Sequence, residues 1–217
     1  MTDLYIGDVY LILRRTTGRN WRYRPLIVQN AFTLSCPKYA REREILSFAA
    51  QKVEEKRAAG VYNDFHNDGY IRLFGEKVPV MAYRGTKDSV TEHMGIVYLE
   101  RKTDEMTYSF RSAVYRFYVK KLQEKLKKRV PIMESYIGIQ CAGWSIASVY
   151  SVWGKCNPRT QKIVFSAELA AQSVAFIDQV IVHELAHILF PNHGKEFHAF
   201  MAKYIPDYKE LIKKVKK

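Results

Sequence analysis

Residues 180–197, which read VIVHELAHILFPNHGKEF, constrain this chain more than any other stretch, because histidines and a glutamate recur there at the spacing of a metal site. His183 and His187 are four residues apart. On a helix they lie one turn apart on the same face, so both imidazoles can point at one ion. Glu184 lies one step round the helix, where its carboxylate can act on a water molecule beside that ion. The His-Glu-x-x-His pattern is a signature of zinc metalloproteases.

A third ligand is expected because a catalytic zinc ion keeps three protein ligands and leaves its fourth position for water. His193 can supply it. Pro191 lacks a backbone donor and disfavours helical geometry in the residue before it, so we predict that the helix stops near Leu189. Asn192 and Gly194 tolerate the backbone angles of a tight reversal, which would bring His193 back toward the first two histidines. The segment therefore predicts a site for one Zn²⁺ per chain.

The residues around the motif have the pattern of a helix that packs against a core. A lone histidine is more often a hydrogen-bonded residue in a buried wall than a ligand, but three histidines and a glutamate grouped in this way favour a metal site. The apolar residues that recur at helical spacing are Phe176, Ile177, Val180, Ile181, Leu185, Ile188 and Leu189.

Nearly the whole chain resembles the YgjP-like metallopeptidases, and the HELAH and Trp-Gly segments are the most specific part of that resemblance. The resemblance implies a zincin-like fold and a zinc peptidase, and the metal motif is related to that of SprT-like and WLM-type proteases. The matching segments are a Trp-Gly-x-Cys-Asn run at 153–157, a strand at 162–165, the HELAH helix at 183–187, Asn192, His193 and Phe197, and an Asp-Gly to Gly-Glu segment at 68–76.

The chain departs from the family pattern at three positions. Lys155 stands for Ser, Ser166 for Asn, and His198 for Trp. These departures concern substrate contacts more than the metal. We therefore take Trp153, Gly154, Lys155 and His198 as candidate substrate-binding residues, and His198 also as a candidate for stabilising the oxyanion.

Composition limits the class of protein. The 217 residues include 35 Lys and Arg against 22 Asp and Glu, a formal net charge of +13, so the surface should attract polyanions without specificity. Three cysteines are an odd number without paired metal spacing, which argues against a disulfide framework or a zinc ribbon. With no signal peptide and no run of eighteen apolar residues, we expect a soluble, cytoplasmic protein.

The hydrophobic pattern predicts an α+β fold in one domain, residues 1–217, and the resemblance implies that it is of the zincin-like type. An antiparallel β-rich N-terminal part (1–103) would be followed by a helical part (104–217) that carries the metal site. The predicted elements are a hairpin of 5–14 and 24–34, a helix at 39–57, strands at 70–74, 77–83 and 95–100 with a polar loop at 86–92, a helix at 104–130 closed by Pro131, strands at 143–153 and 162–165 with a turn at 157–160, a helix at 195–204 and a short helix from Pro206.

The first functional hypothesis is a zinc metallopeptidase. Zinc on His183, His187 and His193 would lower the pKa of its water, and Glu184 would take the proton as that water attacks a peptide carbonyl. An edge strand beside the metal helix would receive the peptide by strand addition, and we predict that edge at 150–153. The expected partner is a peptide or protein.

Two alternatives remain open at the level of sequence. A metal-dependent phosphohydrolase acting on nucleotides or other phosphates would use the same activated water, with Lys155 holding a phosphate. A zinc-containing binding module or protease could instead associate with nucleic acid through the basic surface. Neither a P-loop nor a carboxylate-rich two-metal cluster is present in the sequence.

Overall fold

The computed structural model describes residues 4–7, 9–28, 30–59, 61–62, 69–149 and 152–211. Its mixture of sheets and helices confirms the α+β class. The elements are β1 (Leu4–Ile6), β2 (Val9–Thr16), β3 (Arg22–Leu26), β4 (Ala31–Pro37), α1 (Glu42–Ala58), β5 (Tyr70–Leu73), β6 (Glu76–Arg84), β7 (Ser89–His93), β8 (Ile96–Arg101), α2 (Tyr108–Ile137), β9 (Gly143–Ala147), β10 (Gly154–Asn157), β11 (Lys162–Ser166), a 3-10 helix (Ala167–Ala171), α3 (Val174–Ala186) and α4 (Lys195–Tyr204).

The chain divides into two compact units. Unit 1 contains Met1–Arg72 and Lys77–Phe117, and unit 2 contains Leu73–Glu76 and Tyr118–Lys217. The organisation as one domain, with its two parts meeting at 103/104, stays a prediction.

The first sheet of unit 1 has the strand order β1-β2-β4-β3, so the predicted hairpin of 5–14 and 24–34 is wrong. The predicted strand 24–34 is divided between β3 and β4, and β4 lies between β2 and β3, parallel to β2 and antiparallel to β3. Ala31 to Leu34 are all buried, and a strand buried on both faces stabilises the sheet most in a central position. The tight turn comes after β3 instead, where the Asn30 N–H donates to the carbonyl of Ile27 at 3.3 Å.

One face of this sheet is covered by α1. Ile45, Ala49 and Val53 lie on one stripe of the helix and are buried in a common core with Phe32 and Leu34. The helix at 39–57 is confirmed, although it begins at Glu42. Its start is fixed by Arg41, the extended residue before it, whose N–H donates to Oε2 of Glu44 at 2.9 Å.

The second sheet of unit 1 has the order β5-β6-β8-β7, with β6 parallel to β8 and β7 antiparallel to β8. The polar loop predicted at 86–92 is partly wrong, because Ser89–His93 forms β7. Met94 and Gly95 have φ of 49° and 75°, which is the geometry of a two-residue hairpin turn between β7 and β8. The strand order repeats that of the first sheet, a repeat that no similarity in the sequence reveals.

The long helix α2 does not end at Pro131, so that prediction is wrong: Pro131 lies inside the helix. A proline there removes one backbone hydrogen bond, at a cost of about 3 kcal/mol. Burial of Val130, Met133 and Ile137 continues the apolar stripe beyond it and offsets that cost. The helix ends at Gly138, whose φ is +74° and whose N–H donates to the carbonyl of Glu134 at 2.9 Å.

The sheet of unit 2 has the order β10-β11-β9, with β10 antiparallel and β9 parallel to β11. The long strand predicted at 143–153 is β9 alone, since the chain leaves the sheet after Ala147 and returns at Gly154. The predicted edge at 150–153 is replaced by β10, and residues 150 and 151 lie outside the described residues. The turn at 157–160 is confirmed, with Asn157 Oδ1 accepting from the N–H groups of Arg159 and Thr160.

The end of the described chain is helical. α4 confirms the helix predicted at 195–204. Pro206 and Asp207 form a turn, and helical geometry resumes at Tyr208, two residues later than predicted. Within the part of the chain that the structure describes, no helix is both long and apolar enough to cross a membrane.

Candidate metal centre and active site

Two of the three candidate ligands, His183 and His187, lie on the last turn of α3 and on the residue that caps its end, and α3 is held firmly at its start and along its length. The side chain of Ser173 caps the first turn by accepting from the N–H of Phe176 at 3.3 Å. Nine of the thirteen residues of α3 are buried, so tertiary packing determines where its exposed face points. His183 and His187 lie on that face as the spacing predicts.

The turn after α3 brings the third histidine to the first two. Helical hydrogen bonding ends in the segment after Ala186, whose carbonyl accepts from the N–H groups of both Leu189 and Phe190, at 3.1 and 2.8 Å. This end lies close to the stop predicted near Leu189. The chain then passes through Pro191 and reverses before α4, which begins at Lys195.

The three imidazoles converge on one point. The Nε2 atom of His183 lies 3.2 Å from Nε2 of His187 and 3.2 Å from Nε2 of His193. One ring nitrogen from each residue lies within 4.8 Å of the other two, and among the described residues this is the group of three that can hold a metal. Zinc–nitrogen bonds of 2.0–2.1 Å in a tetrahedron require nitrogens about 3.3 Å apart. Two of the three nitrogen separations match this value, and three imidazoles are a donor set that zinc accepts.

The protonation states also suit metal binding. The Nδ1 atom of His187 lies 3.0 Å from the carbonyl oxygen of Phe190, and because a carbonyl only accepts, Nδ1 carries a hydrogen, so in the neutral ring it is Nε2 that has the free lone pair. Burial, together with the neighbouring histidines, lowers the pKa of His183 to about 3. Burial lowers the pKa of His193 as well. Neutral imidazoles are the form that binds a metal ion.

A phenylalanine forms the floor of the histidine cluster. The ring of Phe197 lies 4.9 Å from the rings of His183 and His187 and 4.6 Å from that of His193, and it is 1 % exposed. It stacks on His187 and meets the other two rings edge-on. The sequence motif includes Phe197, but nothing in the sequence indicates that one ring touches all three histidines.

Glu184 is buried beside the histidines, with 4 % exposure. Burial raises its carboxyl pKa to about 7, and a hydrogen bond from the backbone N–H of Cys156 opposes that rise. Gly154 on the same strand makes room for this carboxylate, because a Cβ on Gly154 would lie 2.6–2.8 Å from Cγ, Cδ and Oε1 of Glu184. A carboxyl group that titrates near neutral pH can both accept and return a proton.

The edge strand β10 faces this carboxylate with part of its backbone. The carbonyl of Trp153 accepts from the N–H of Ser166 on the β11 side, so alternation along the strand turns the backbone groups of Gly154 and Cys156 away from β11. The Cys156 N–H reaches Glu184 in that direction. The thiol of Cys156 has its pKa raised to about 11, by burial first and then by Glu184.

The other candidate substrate-binding residues occupy different environments. The Trp153 ring packs edge-on against Phe176 of α3 at 5.3 Å. Lys155 is exposed, and strand alternation directs its side chain to the face opposite the Gly154–Glu184 contact. His198 is exposed, and its Nδ1 lies 3.0 Å from the hydroxyl of Tyr208. The structure thus brings Gly154 to Glu184, whereas His198 is paired with a tyrosine that the sequence did not single out.

Comparison with known proteins gave one finding. A family model described as YgjP-like, metallopeptidase domain matches residues 26–217, most of the chain. Comparisons with curated proteins and with solved structures gave no significant match.

Proposed function

Because the chain belongs to the YgjP-like metallopeptidase family, we propose that it hydrolyses peptide bonds, with one zinc ion held by His183, His187 and His193 and with Glu184 transferring the proton. The observation that carries this proposal is the convergence of three Nε2 atoms beside a buried carboxyl group. The proposed fold class is zincin-like, with the metal ligands on the helix α3 and on the turn that follows it.

Zinc at this site would supply Lewis acidity, which polarises a carbonyl and acidifies water. The protein's part is to hold the ligands in place. The Phe197 ring packs against all three imidazoles and limits their movement, and the Phe190 carbonyl fixes the tautomer of His187. Ligand orientation of this kind commonly changes metal affinity or activity by about 10–100-fold when it is removed.

Glu184 is the group that moves protons in the proposal. It would take a proton from the attacking water and deliver it to the leaving amine, which requires a carboxyl group that exists in both protonation states near neutral pH. Its raised pKa, about 7, supports this role. The Cys156 N–H holds the carboxylate in one orientation, so the proton acceptor is positioned before the substrate arrives.

The substrate in this proposal is an extended peptide lying along the outer edge of β10. The N–H and C=O groups of Gly154 and the C=O group of Cys156 point away from β11 and can pair with such a peptide, as in strand addition, while the Cys156 N–H stays on Glu184. Lys155 would contact side chains of the substrate on the exposed face of the strand, and Trp153 would support the strand from α3. His198 would have to break its hydrogen bond with Tyr208 before it could stabilise the oxyanion at the cleaved bond.

Replacement of Glu184 tests the mechanism directly. Glu184→Gln should keep bound zinc, measured by elemental analysis of the protein, and should lower hydrolysis of a fluorogenic peptide library or of casein by about 10²–10⁴-fold. Glu196→Gln, which removes the same charge from an exposed position in the first turn of α4, serves as the control. Full turnover by the Glu184→Gln protein would refute the assigned role.

The phosphohydrolase alternative can be tested with the same proteins. Its sequence argument used Lys155 as the phosphate ligand, but the side chain leaves the strand on the face opposite Glu184, so we retain peptide hydrolysis as the proposal. Release of phosphate from a panel of nucleotides that is abolished by Glu184→Gln, without any peptidase activity, would reverse this choice.

A further inference from the structure

The first sheet of unit 1 is built from a part of the sequence in which every charged side chain is basic. Residues 9–40 contain five arginines and one lysine but no aspartate or glutamate. These residues form β2, β3 and β4. The net charge of this sheet is therefore strongly positive, and where the arginines lie decides what it can bind.

Alternation along the strands sorts the residues onto two faces. One face carries Leu13, Leu34 and Tyr23, which belong to the core under α1. Each next residue along a strand points the other way. The register pairs Arg14 with Ser35 on β4, and Ser35 with Arg22 on β3. One row across the opposite face therefore reads Arg14, Ser35, Arg22, and both arginines are exposed.

A second row lies beside the first on the same face. The register aligns Ile12, Thr33 and Arg24 across the same three strands. Thr33 is buried, and Arg24 is half-buried. We call the set Arg14, Arg22 and Ser35 the arginine face. It presents two exposed guanidinium groups on either side of a hydroxyl, and the more buried row of Thr33 and Arg24 borders it.

The spacing of the two arginines on the arginine face suits contacts to two phosphates of one backbone. Arg14 and Arg22 are two strands apart, about 10 Å. Guanidinium and hydroxyl groups are the side chains that contact phosphate oxygens in nucleic-acid complexes, and such contacts position a strand without reading its bases.

We propose that the arginine face binds the phosphate backbone of a nucleic acid without base specificity. A membrane surface is a poorer match, because none of the exposed large apolar residues among the described part of the chain lies on this face. An acidic protein is also a poorer match, since stable protein interfaces have an apolar or aromatic centre, and the exposed row here is polar. The proposal does not rest on the proposed peptidase activity.

β2 offers a matched control in the residue after Arg14. Arg15 points to the α1 side, where its Nη1 donates to the carbonyls of Lys38 and Ala40 at 2.9 Å each. Lys38 is exposed in the segment between β4 and α1. The double variants Arg14→Gln/Arg22→Gln and Arg15→Gln/Lys38→Gln therefore remove the same net charge, the first from the arginine face and the second from positions outside it.

The experiment is a salt series of fluorescence-polarisation titrations with labelled single-stranded and duplex DNA, using the full chain. Each lost phosphate contact reduces the slope of log K against log salt by about 0.9 for duplex and about 0.7 for single strands. The Arg14→Gln/Arg22→Gln protein should lose about 1.8 or 1.4 from the slope and bind at least tenfold more weakly at low salt. The Arg15→Gln/Lys38→Gln protein should stay near wild type, and thermal melting checks that both variants are folded.

Three results would overturn the proposal. Equal losses in the two double variants would mean that binding follows net charge alone, and wild-type DNA binding independent of salt would exclude phosphate contacts. Tighter binding to phosphatidylserine vesicles or to polyglutamate than to DNA, lost in the same variant, would assign the face to a membrane or to an acidic protein. Peptidase activity that persists in the Arg14→Gln/Arg22→Gln protein would show that failure of either proposal is separate from the other.

Discussion

Gly154 leaves open the space that the carboxylate of Glu184 occupies, and a Cβ there would lie 2.7 Å from Oε1. The absence of a side chain on the edge strand thus determines where the buried acid sits. The same strand supplies the Cys156 N–H that orients the acid, so β10 has a structural role toward Glu184 in addition to its proposed role toward substrate.

Gly154→Ala should therefore impair catalysis while leaving the metal bound. The added methyl group must push Glu184 aside, and displacement of a reacting group by about 1 Å can cost about 10²-fold in rate. We expect a loss of that order in kcat with unchanged zinc content. Gly18→Ala, where a Cβ would make only an ordinary 3.8 Å contact with Thr16, is the control. Wild-type kcat in the Gly154→Ala protein would show that Glu184 tolerates the shift.

Arg129 of α2 and Asp178 of α3 form an ion pair that joins these two helices. Two short hydrogen bonds, 2.7 Å from Nε to Oδ1 and 2.6 Å from Nη2 to Oδ2, join them in a bidentate pair whose side chains are 27 % and 15 % exposed. Arg129→Ala should lower the free energy of unfolding by about 1.5–3 kcal/mol, measured by urea denaturation, because it leaves a half-buried carboxylate without its partner.

Two further variants distinguish the contribution of the Arg129–Asp178 pair from the general effect of removing a charge. Arg84 and Asp104 form a 3.6 Å pair that is 71 % and 91 % exposed, so Arg84→Ala should cost less than about 1 kcal/mol. Replacing both members of the half-buried pair, Arg129→Met with Asp178→Leu, should cost less than Arg129→Ala alone. An equal loss in the Arg129 and Arg84 variants would contradict the importance of the half-buried pair.

The grouping of the three histidines could be predicted from the sequence because it depends on local geometry. Helical periodicity places His183 and His187 on one face, and Pro191 ends the helix so that His193 can return. The Gly154–Glu184 and Phe197 contacts could not be predicted, since they arise where separate elements meet. Arg129 shows the same limit: within a run of lysines and arginines it reads as part of a solvated helix face, yet it is paired across 49 residues of sequence.

The strands were largely predictable, and their order was not. Alternating apolar residues indicate that a strand exists, but the parallel pairing of β2 with β4 depends on which strand can be buried on both faces. Pro131 illustrates a related error. Its local preference ends a helix, but apolar residues that continue on the same stripe stabilise the helix through the proline by tertiary packing.

The turn between β5 and β6 gives a prediction about stability. Phe74 and Gly75 both have positive φ, 53° and 88°, and a Cβ on Gly75 would lie 2.9 Å from Cα of Ser173, the residue that caps the metal helix. Gly95 has a similar φ of +75° but nothing within 4 Å of a Cβ. Gly95→Ala should cost about 1–2 kcal/mol from backbone strain alone. Gly75→Ala should cost about 1–3 kcal/mol more, because backbone must move.

Thermal or urea unfolding of the two glycine variants, each compared with wild type, measures this difference. Since both positions share the left-handed conformation, the difference between the variants isolates the contact with Ser173. Equal losses would mean that the turn can move away from the metal helix without cost.

Removal of the metal should lower stability without unfolding the protein. The helix α3 is packed through nine buried residues, and the pKa of His183, about 3, keeps its imidazole neutral at pH 7, so the empty ligand cluster does not have to accommodate several positive charges. A catalytic ion bound only by the native state stabilises by mass action, by about 2.7 kcal/mol at a hundred times its dissociation constant. We expect chelator to lower the midpoint of thermal unfolding while the circular dichroism spectrum at room temperature stays native-like, and added Zn²⁺ to restore the midpoint.

A structural zinc ion behaves differently, because its loss commonly unfolds a small domain. Complete loss of the helical signal on chelation would therefore assign the three histidines a structural role and would remove the main support for the peptidase proposal.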